Sequence, residues 1–303
     1  MPHPPGNARK RVINCPLRIG THNLQGMQLP QHEGKLHAAV KLWSRSRLDI
    51  VCIQETHHTS VGDSRLLQRG LHQASQYLGT PGWEVVAQSL SDSARTAGVA
   101  VLIRTDLLQR AKIVTVPDRL TPRDPPPGRV ACVSLRWEGH TLHIANIYLH
   151  TKAYQRDRRD MIQRVLEPIA AAAMGADDEA LIWAGDFNFV EAPLVDSTAG
   201  EDGRRGDRPV AQDFRQGCGY LADTYRCLHP QRRDFSHWYH APRPGASRLD
   251  RIYVSQPLLP FVISASVLAD TPSDHRLATV AILPRTPQAK GPGIPRVRTR
   301  FMA

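Results

Sequence analysis

Short apolar runs separated by Gly- and Pro-rich breaks recur along the chain, and three stretches carry the 3.6-residue spacing of a helix. LRIGTHNL (residues 17–24), LDIVCIQET (48–56), GWEVVAQS (82–89), AGVAVLIR (97–104), RVACVSLRW (129–137) and HTLHIANIYLH (140–150) predict strands. ALIWAGDFNFV (180–190) predicts another, and FSHWYH, RLDRIYVS, VISASVL and LATVAIL follow it. Leu36, Val40 and Trp43 predict a helix over 33–47, and further helices are expected over 152–173 and 210–216. STAGEDGRRGDRP (197–209) reads as a long polar loop. Many strands with interspersed helices, mostly not in regular βαβ order, imply two packed sheets with helices outside, a layered α/β sandwich. Residues 1–16 and 285–303 are rich in Pro, Gly and Arg and read as a basic arm and a linker or tail flanking one domain over 17–284.

The polar exceptions to the apolar pattern fall repeatedly at strand ends. Asn23 ends the first strand, Glu55 the second, Tyr148 ends IANIY, and Asp186 with Asn188 ends LIWAG. Asp250 begins a strand, and Asp274–His275 precedes LATVAIL. A turn or cap accounts for any one of these alone. Their joint placement argues for a shared rim, where clustered carboxylates need a cation or substrate to offset their repulsion. Oxygen donors without a Cys pair, HExxH or close His cluster favour a hard ion, Mg²⁺ or Mn²⁺. Such an ion suits in-line displacement at phosphorus, with His275 polarising a phosphate or moving a proton. In GDFN, period-two alternation about Phe187 would place Asp186 and Asn188 on one side. His57 and His58 read as loop residues without a catalytic role.

Composition narrows the reading further. The formal charge is +11, which favours polyanionic partners. Five cysteines without a CxxC pair speak against a disulfide scaffold or zinc site and fit an intracellular protein. No apolar segment follows the basic start, and the longest uncharged run, 252–269, is broken by Pro257 and Pro260, so no signal peptide or membrane span is expected. Neither a GxxxxGK[ST] phosphate loop nor a GxSxG elbow occurs.

Taken in order, THNLQG, IVCIQET, AGVAVLIR, IANIY, GDFN, SRLDRIYVS and SDH resemble the endonuclease/exonuclease/phosphatase superfamily. The resemblance is nearer to the apurinic/apyrimidinic-like endonuclease domain of LINE-type (non-LTR) retrotransposon polyproteins and covers residues 17–283. It implies a DNase I-like, four-layer α/β sandwich of two mixed sheets flanked by helices. It further implies Mg²⁺-dependent phosphodiester hydrolysis leaving 3′-hydroxyl and 5′-phosphate ends. By motif, Glu55 is the principal metal ligand, assisted by Asn23, with Asp274 beside the metal. Asp186 and Asn188 would position the attacking water, His275 and Tyr148 would contact the phosphate, and Asp250 would orient His275. The base falls to Asp186 or His275.

Three positions depart from the wider pattern. Gln25 stands where repair-type members often carry an acid, Leu149–His150–Thr151 follows Tyr148 in place of A-P-N, and Ser197 follows Asp196 where retroelement nucleases often place Arg. Thr151 or His150 would substitute as a DNA contact, and Ser236, Ser247, Arg248 and Leu249 match positions shaping the groove. Lys152, Arg156, Arg158, Arg159 and Arg164 share one expected helix, and Arg204, Arg205, Arg208, Arg232, Arg233 and Arg243 flank the motifs in loops. The leading expectation is a nuclease that nicks double-stranded DNA and supplies a 3′-hydroxyl primer for a reverse transcriptase domain in the parent polyprotein, acting in the nucleus. An abasic-site repair nuclease, a phosphatase of lipid or inositol phosphates, and a non-catalytic nucleic-acid-binding remnant of a decayed element are the alternatives.

Overall fold

The computed structural model describes residues 15–174, 179–239, 244–269 and 271–283. The basic arm lies outside the described residues up to residue 14, as does the whole tail over 285–303. Two six-stranded sheets form the body. The first contains β1 (Leu17–Asn23), β2 (Ile50–Gln54), β3 (Trp83–Ser89), β4 (Val99–Arg104), β13 (Val262–Leu268) and β14 (Leu277–Ile282), in the order β13-β14-β1-β2-β4-β3. The second contains β5 (Lys112–Val114), β6 (Val130–Trp137), β7 (His140–Tyr148), β8 (Glu179–Asp186), β9 (Leu221–Asp223) and β12 (Asp250–Ser255), in the order β5-β6-β7-β8-β12-β9. Both sheets are mixed: β1–β2 and β7–β8 run parallel, and the other neighbours run antiparallel. A two-stranded ribbon, β10 (His237–Tyr239) with β11 (Gly245–Ser247), sits apart from them.

The central strands are apolar on both faces because both faces are covered. Ile50, Cys52 and Val101 meet Ile144, Ile182 and Val254 between the sheets. Alternate residues Val51, Ile53 and Leu102 pack under Leu36, Val40, Trp43, Leu67 and Leu71 of helices Glu33–Arg45 and Val61–Leu78. On the other outer face Leu181, Trp183 and Tyr253 pack under Ile162, Val165, Ile169 and Phe214. The expected four-layer sandwich of two mixed sheets flanked by helices is the fold observed. Among the described residues, no helix is long and apolar enough to cross a membrane, and all five cysteines are free.

Local differences have local causes. Helix Val61–Leu78 was not expected; Ser60 and Asp63 close a reciprocal capping box at its start, and Gly79 ends it in left-handed geometry. The helix expected over 152–173 is four pieces: 3₁₀ turn Lys152–Tyr154, helix Gln155–Met161, π turn Ile162–Leu166 and helix Glu167–Ala173. The wide turn ends two residues before Pro168, which has no N–H to return to the preceding turn. The polar stretch 197–209 is a folded corner rather than an open loop, with helix Gly200–Gly203, 3₁₀ turn Arg205–Asp207 and helix Arg208–Cys218.

A buried ion network ties this corner to the second sheet. Arg248 donates to both Asp196 oxygens at 2.8 and 3.0 Å and lies 2.7 Å from Asp223, while Arg226 donates to Asp196 at 3.0 Å. Burial alone would raise the Asp196 carboxyl, but Arg248, Arg251 and Arg226 hold it at about 2. Removing one partner leaves buried guanidiniums uncompensated, so Asp196→Ala is expected to cost about 3–5 kcal/mol in urea unfolding at pH 7. Because the folded carboxyl lies below its unfolded value of about 3.9, its contribution is complete above that pH and is lost as pH falls through about 2. Urea midpoints of wild type and Asp196→Asn are therefore expected to differ by a constant amount above pH ~4 and to converge towards pH ~2.

Candidate active site

One alternation places most of the site. Along β1, β7, β8 and β12, the residues facing the other sheet include Leu17 and Ile19, Leu142 and Ile144, Ile182 and Ala184, and Ile252 and Val254. Continuing in steps of two brings Asn23, Tyr148, Asp186 and Asp250 to the same inter-sheet face at one rim. The parallel pairs β1–β2 and β7–β8 deliver their carboxyl ends there together, and antiparallel β12 begins there, with Asp250 opposite Asp186. Glu55 lies one residue beyond β2 at φ +55°, and Asp274–His275 enters just before β14.

A buried amide clamp underlies this rim. Asn146, two residues before Tyr148, donates to the carbonyls of Ile53 and Ala100 in the opposite sheet, both at 2.8 Å, and accepts from Gln54 at 2.7 Å. These bonds fix the spacing of the sheets beneath the site, and sequence reasoning missed them. A buried amide inside a continuous apolar strand was the available signal.

At the rim, Asn23 Nδ2 donates to Glu55 Oε1 at 2.8 Å and to Asp186 Oδ2 at 3.0 Å. Its oxygen accepts from the Gln25 backbone N–H. Asn23 therefore turns its nitrogen to both carboxylates and holds them side by side. Tyr148 Oη donates to Glu55 Oε1 at 2.8 Å, and His57 Nε2 lies 3.4 Å from Glu55 Oε2. Burial opposes the Glu55 charge, but His57, Asn23 and Tyr148 hold the carboxyl at about 2. His57, read from sequence as a loop residue without a catalytic role, supports Glu55; only its spacing of two from that residue signalled it.

Asp186 behaves oppositely. Burial and the neighbouring Asp250 push its carboxyl up, against His275, Asn23 and the Asn188 backbone N–H. His275 Nδ1 is 2.8 Å from Asp250 Oδ2, and its Nε2 is 3.9 Å from Asp186 Oδ2. Burial alone would lower this imidazole, but Asp250 and Asp186 push it up to about 10. Asp274 accepts from Gln25 Nε2 at 2.6 Å and faces His237 Nε2 at 3.5 Å. Gln25, expected as a departure, is therefore a working contact of the rim.

The Asp186–Asn188 pair comes together by a different route from alternation. The strand ends at Asp186, and Asn188 turns to φ +52°. Asp186 Oδ1 accepts the Asn188 N–H at 2.9 Å, and Asn188 Nδ2 donates to the Leu149 carbonyl at 2.8 Å. Phe187 does point inward, against Phe214 and Tyr253. Arg158, expected on a basic helix face, is fully buried, donates to the Asn188 carbonyl and pairs with Asp207 at 3.3 Å. Its spacing with Ile162, Val165 and Ile169 on the apolar face was the legible sign.

Glu55, Asp186, Asn188, His275 and Thr151 line one cleft of about 580 Å³, together with Gln25, His237, Tyr239, Arg204 and Leu249. Ser236, Ser247 and Arg248, expected as groove contacts, are buried instead. Ser236 Oγ accepts the Leu249 and Asp250 N–H groups, both at 2.9 Å, Ser247 bonds Arg204 and Ser197, and Arg248 belongs to the Asp196 network. Each shapes the site from behind. Several loop arginines likewise bond internally: Arg205 with Asp202, Arg208 with Glu201, Arg232 with Asp234 and Arg233 with the Ser197 carbonyl. Arg243 lies outside the described residues.

Glu55 and Asp186 thus line the cleft, Asp250 and Asp274 flank its histidines, and all four carboxylates form their close ion pairs with histidines. That excess of anionic oxygen suits a hard divalent cation, with Glu55 and Asp186 lining the cleft and Asp274 joined to it through Gln25. The backbone also matters here. A Cβ on Gly185 would sit 1.8 Å from the Ile147 carbonyl oxygen on the adjacent strand. Gly185→Ala is expected to cost about 3 kcal/mol or more by forcing β7 and β8 apart. Gly34→Ala, with nothing within 4 Å, is expected to gain up to about 1 kcal/mol, both read from urea midpoints.

Comparison with known proteins places this geometry in context. A family model described as Endonuclease/Exonuclease/phosphatase family matches residues 20–275. The chain is 30% identical over 176 residues to the Transposon TX1 uncharacterized 149 kDa protein of Xenopus laevis, a match covering 54% of this chain but only 12% of that protein. The AP endonuclease LMAP from Leishmania major superposes with a TM-score of 0.69 at 18% identity, covering 89% of this chain and 88% of that one. An AP endonuclease from Archaeoglobus fulgidus gives 0.62 at 19% identity, covering 88% and 99%. Both share the fold.

Proposed function

The chain belongs to the endonuclease/exonuclease/phosphatase family, and from that premise we propose that it is a metal-dependent endonuclease nicking double-stranded DNA. The observation that carries this reading is the pairing of opposite proton tendencies in one cleft. His275 is held cationic by Asp250, while the Asp186 carboxyl is pushed up towards proton acceptance. A phosphodiester needs both: positive hydrogen-bond donation to its oxygens and a base for the attacking water.

In this mechanism the His275 Nε2–H donates to a non-bridging phosphate oxygen while Asp250 fixes the ring through Nδ1. Asp186 orients the water and accepts its proton as the water oxygen bonds to phosphorus. The P–O3′ bond breaks, and the departing oxygen takes a proton from solvent, leaving a 3′-hydroxyl and a 5′-phosphate. Asn188 and Thr151 stand beside this path as contacts to the water and to a flanking phosphate. Tyr148, Asn23 and His57 keep Glu55 ionised and in place. A Mg²⁺ ion, or Mn²⁺ in its place, held by Glu55 with Asp186 and Asp274 beside it, would supply charge compensation to the phosphate oxygens.

The finer role rests on the transposon relative. A 3′-hydroxyl at a nick is the primer a reverse transcriptase domain of a parent polyprotein would extend, and the proposed action on double-stranded DNA would then take place in the nucleus. The net charge of +11 supports a polyanionic substrate.

With Mg²⁺, wild type is expected to nick supercoiled plasmid and leave ends that a DNA polymerase extends. EDTA, Glu55→Ala, Asp186→Ala and His275→Ala are each expected to reduce the rate by roughly 10²–10⁴-fold. Equal nicking by wild type and the three variants would overturn these assignments. A strong preference for a duplex with an abasic site over an intact one would favour a repair nuclease instead, and DNA binding without nicking would favour a non-catalytic remnant.

A further inference from the structure

One cluster at the rim has ligand chemistry unlike the rest. His237 Nε2 is 3.5 Å from Asp274 Oδ2, and His275 Nε2 is 4.0 Å from Asp274 Oδ1. Ligand atoms of all three residues lie within 4.8 Å of one another. Donors about 2.0–2.1 Å from a tetrahedral zinc ion are themselves roughly 3.4 Å apart, so small side-chain adjustments close the set. His237 is held to His275 by a backbone bridge, and the two rings lie 4.4 Å apart.

We propose that His237, Asp274 and His275 form a second site, for a borderline transition-metal ion such as Zn²⁺, and that occupancy of this site switches the enzyme off. Two imidazoles and one carboxylate are a zinc-type donor set, whereas the oxygens around Glu55 suit Mg²⁺. The support behind the ligands is also of the zinc kind. His275 Nδ1 is bonded to Asp250, which leaves Nε2 as the nitrogen turned to the ion, the carboxylate–histidine–metal arrangement. Asp274 is steadied by Gln25 Nε2. Inhibition follows because the ion takes Nε2, the atom that contacts phosphate. That consequence rests on the proposed nuclease function; the site itself does not.

The test is Co²⁺ titration of the metal-free chain without DNA, followed by visible absorption. Wild type is expected to show the intense band of four-coordinate Co²⁺, displaced by one equivalent of Zn²⁺ and unmoved by millimolar Mg²⁺. His237→Phe keeps a ring against His275 and is expected to weaken binding by at least about 100-fold, beyond the roughly 10- to 100-fold that loss of a supporting partner costs. Asp274→Asn should act in the same direction, and circular dichroism melts report whether each variant is folded. An unchanged band in folded His237→Phe and Asp274→Asn, or displacement by Mg²⁺ as readily as by Zn²⁺, overturns the site. With the site established, Zn²⁺ arrest of Mg²⁺-dependent nicking supports the switch, and nicking undiminished at saturating Zn²⁺ overturns it. A chain that binds Co²⁺ in this way but never nicks DNA keeps the site and overturns the nuclease reading.

Discussion

A single amide holds the two halves of the site together. Glu55 comes from one sheet and Asp186 from the other, and the Asn23 nitrogen donates to both. Two carboxylates converging on a largely dry rim repel each other, and each would rise towards the neutral form without a shared donor. Asn23 places them side by side, and the partners beyond it separate their behaviour. Tyr148 and His57 add to the donors on Glu55 and keep it charged, whereas Asp186 sits against the negative charge of Asp250. One residue becomes suited to holding a cation and the other to accepting a proton.

That arrangement requires the sheets to keep a fixed spacing, which an apolar interface alone does not specify. Asn146 and Gln54 supply directional bonds across it. They lie on the same inter-sheet face as Tyr148 and one step below the rim, so the clamp and the catalytic groups belong to the same alternation. Gly185 contributes by omission: any side chain there meets the Ile147 carbonyl and separates the parallel strands that present Tyr148 and Asp186. The ion network around Asp196 braces the outer corner in a similar way, through buried arginines.

Much of this was legible in the sequence, and the misses share a cause. Strand-end polar residues announced Asn23, Tyr148, Asp186 and Asp250, because a period of two keeps a residue on its core-facing side to the last step; Glu55, one residue past β2 in left-handed geometry, and His275, just ahead of β14, were announced by their place at a strand end alone. Asn188 met Asp186 for another reason, since its left-handed backbone and an Asx-type bond replaced alternation. Arg248 read as a DNA contact and Arg158 as part of a basic helix face, yet both are buried by pairing with Asp196 and Asp207, which lie far from them in sequence. Ser236 looked like a groove residue and instead caps the start of β12 through two backbone N–H groups. His57 and His237 needed three dimensions, because their partners Glu55 and Asp274 define them. Side-chain type and local period reveal which residues reach the rim; the partner each one meets there depends on long-range packing.

The central claim is that Glu55 and Asp186, from different sheets, work as one unit. Single-turnover nicking rates of Glu55→Gln, Asp186→Asn and the double variant test this most directly. Groups acting as a unit lose their joint contribution once either is removed, so the double variant is predicted to be about as slow as the slower single variant. Losses that multiply in the double variant would show two independent contributions and contradict the account.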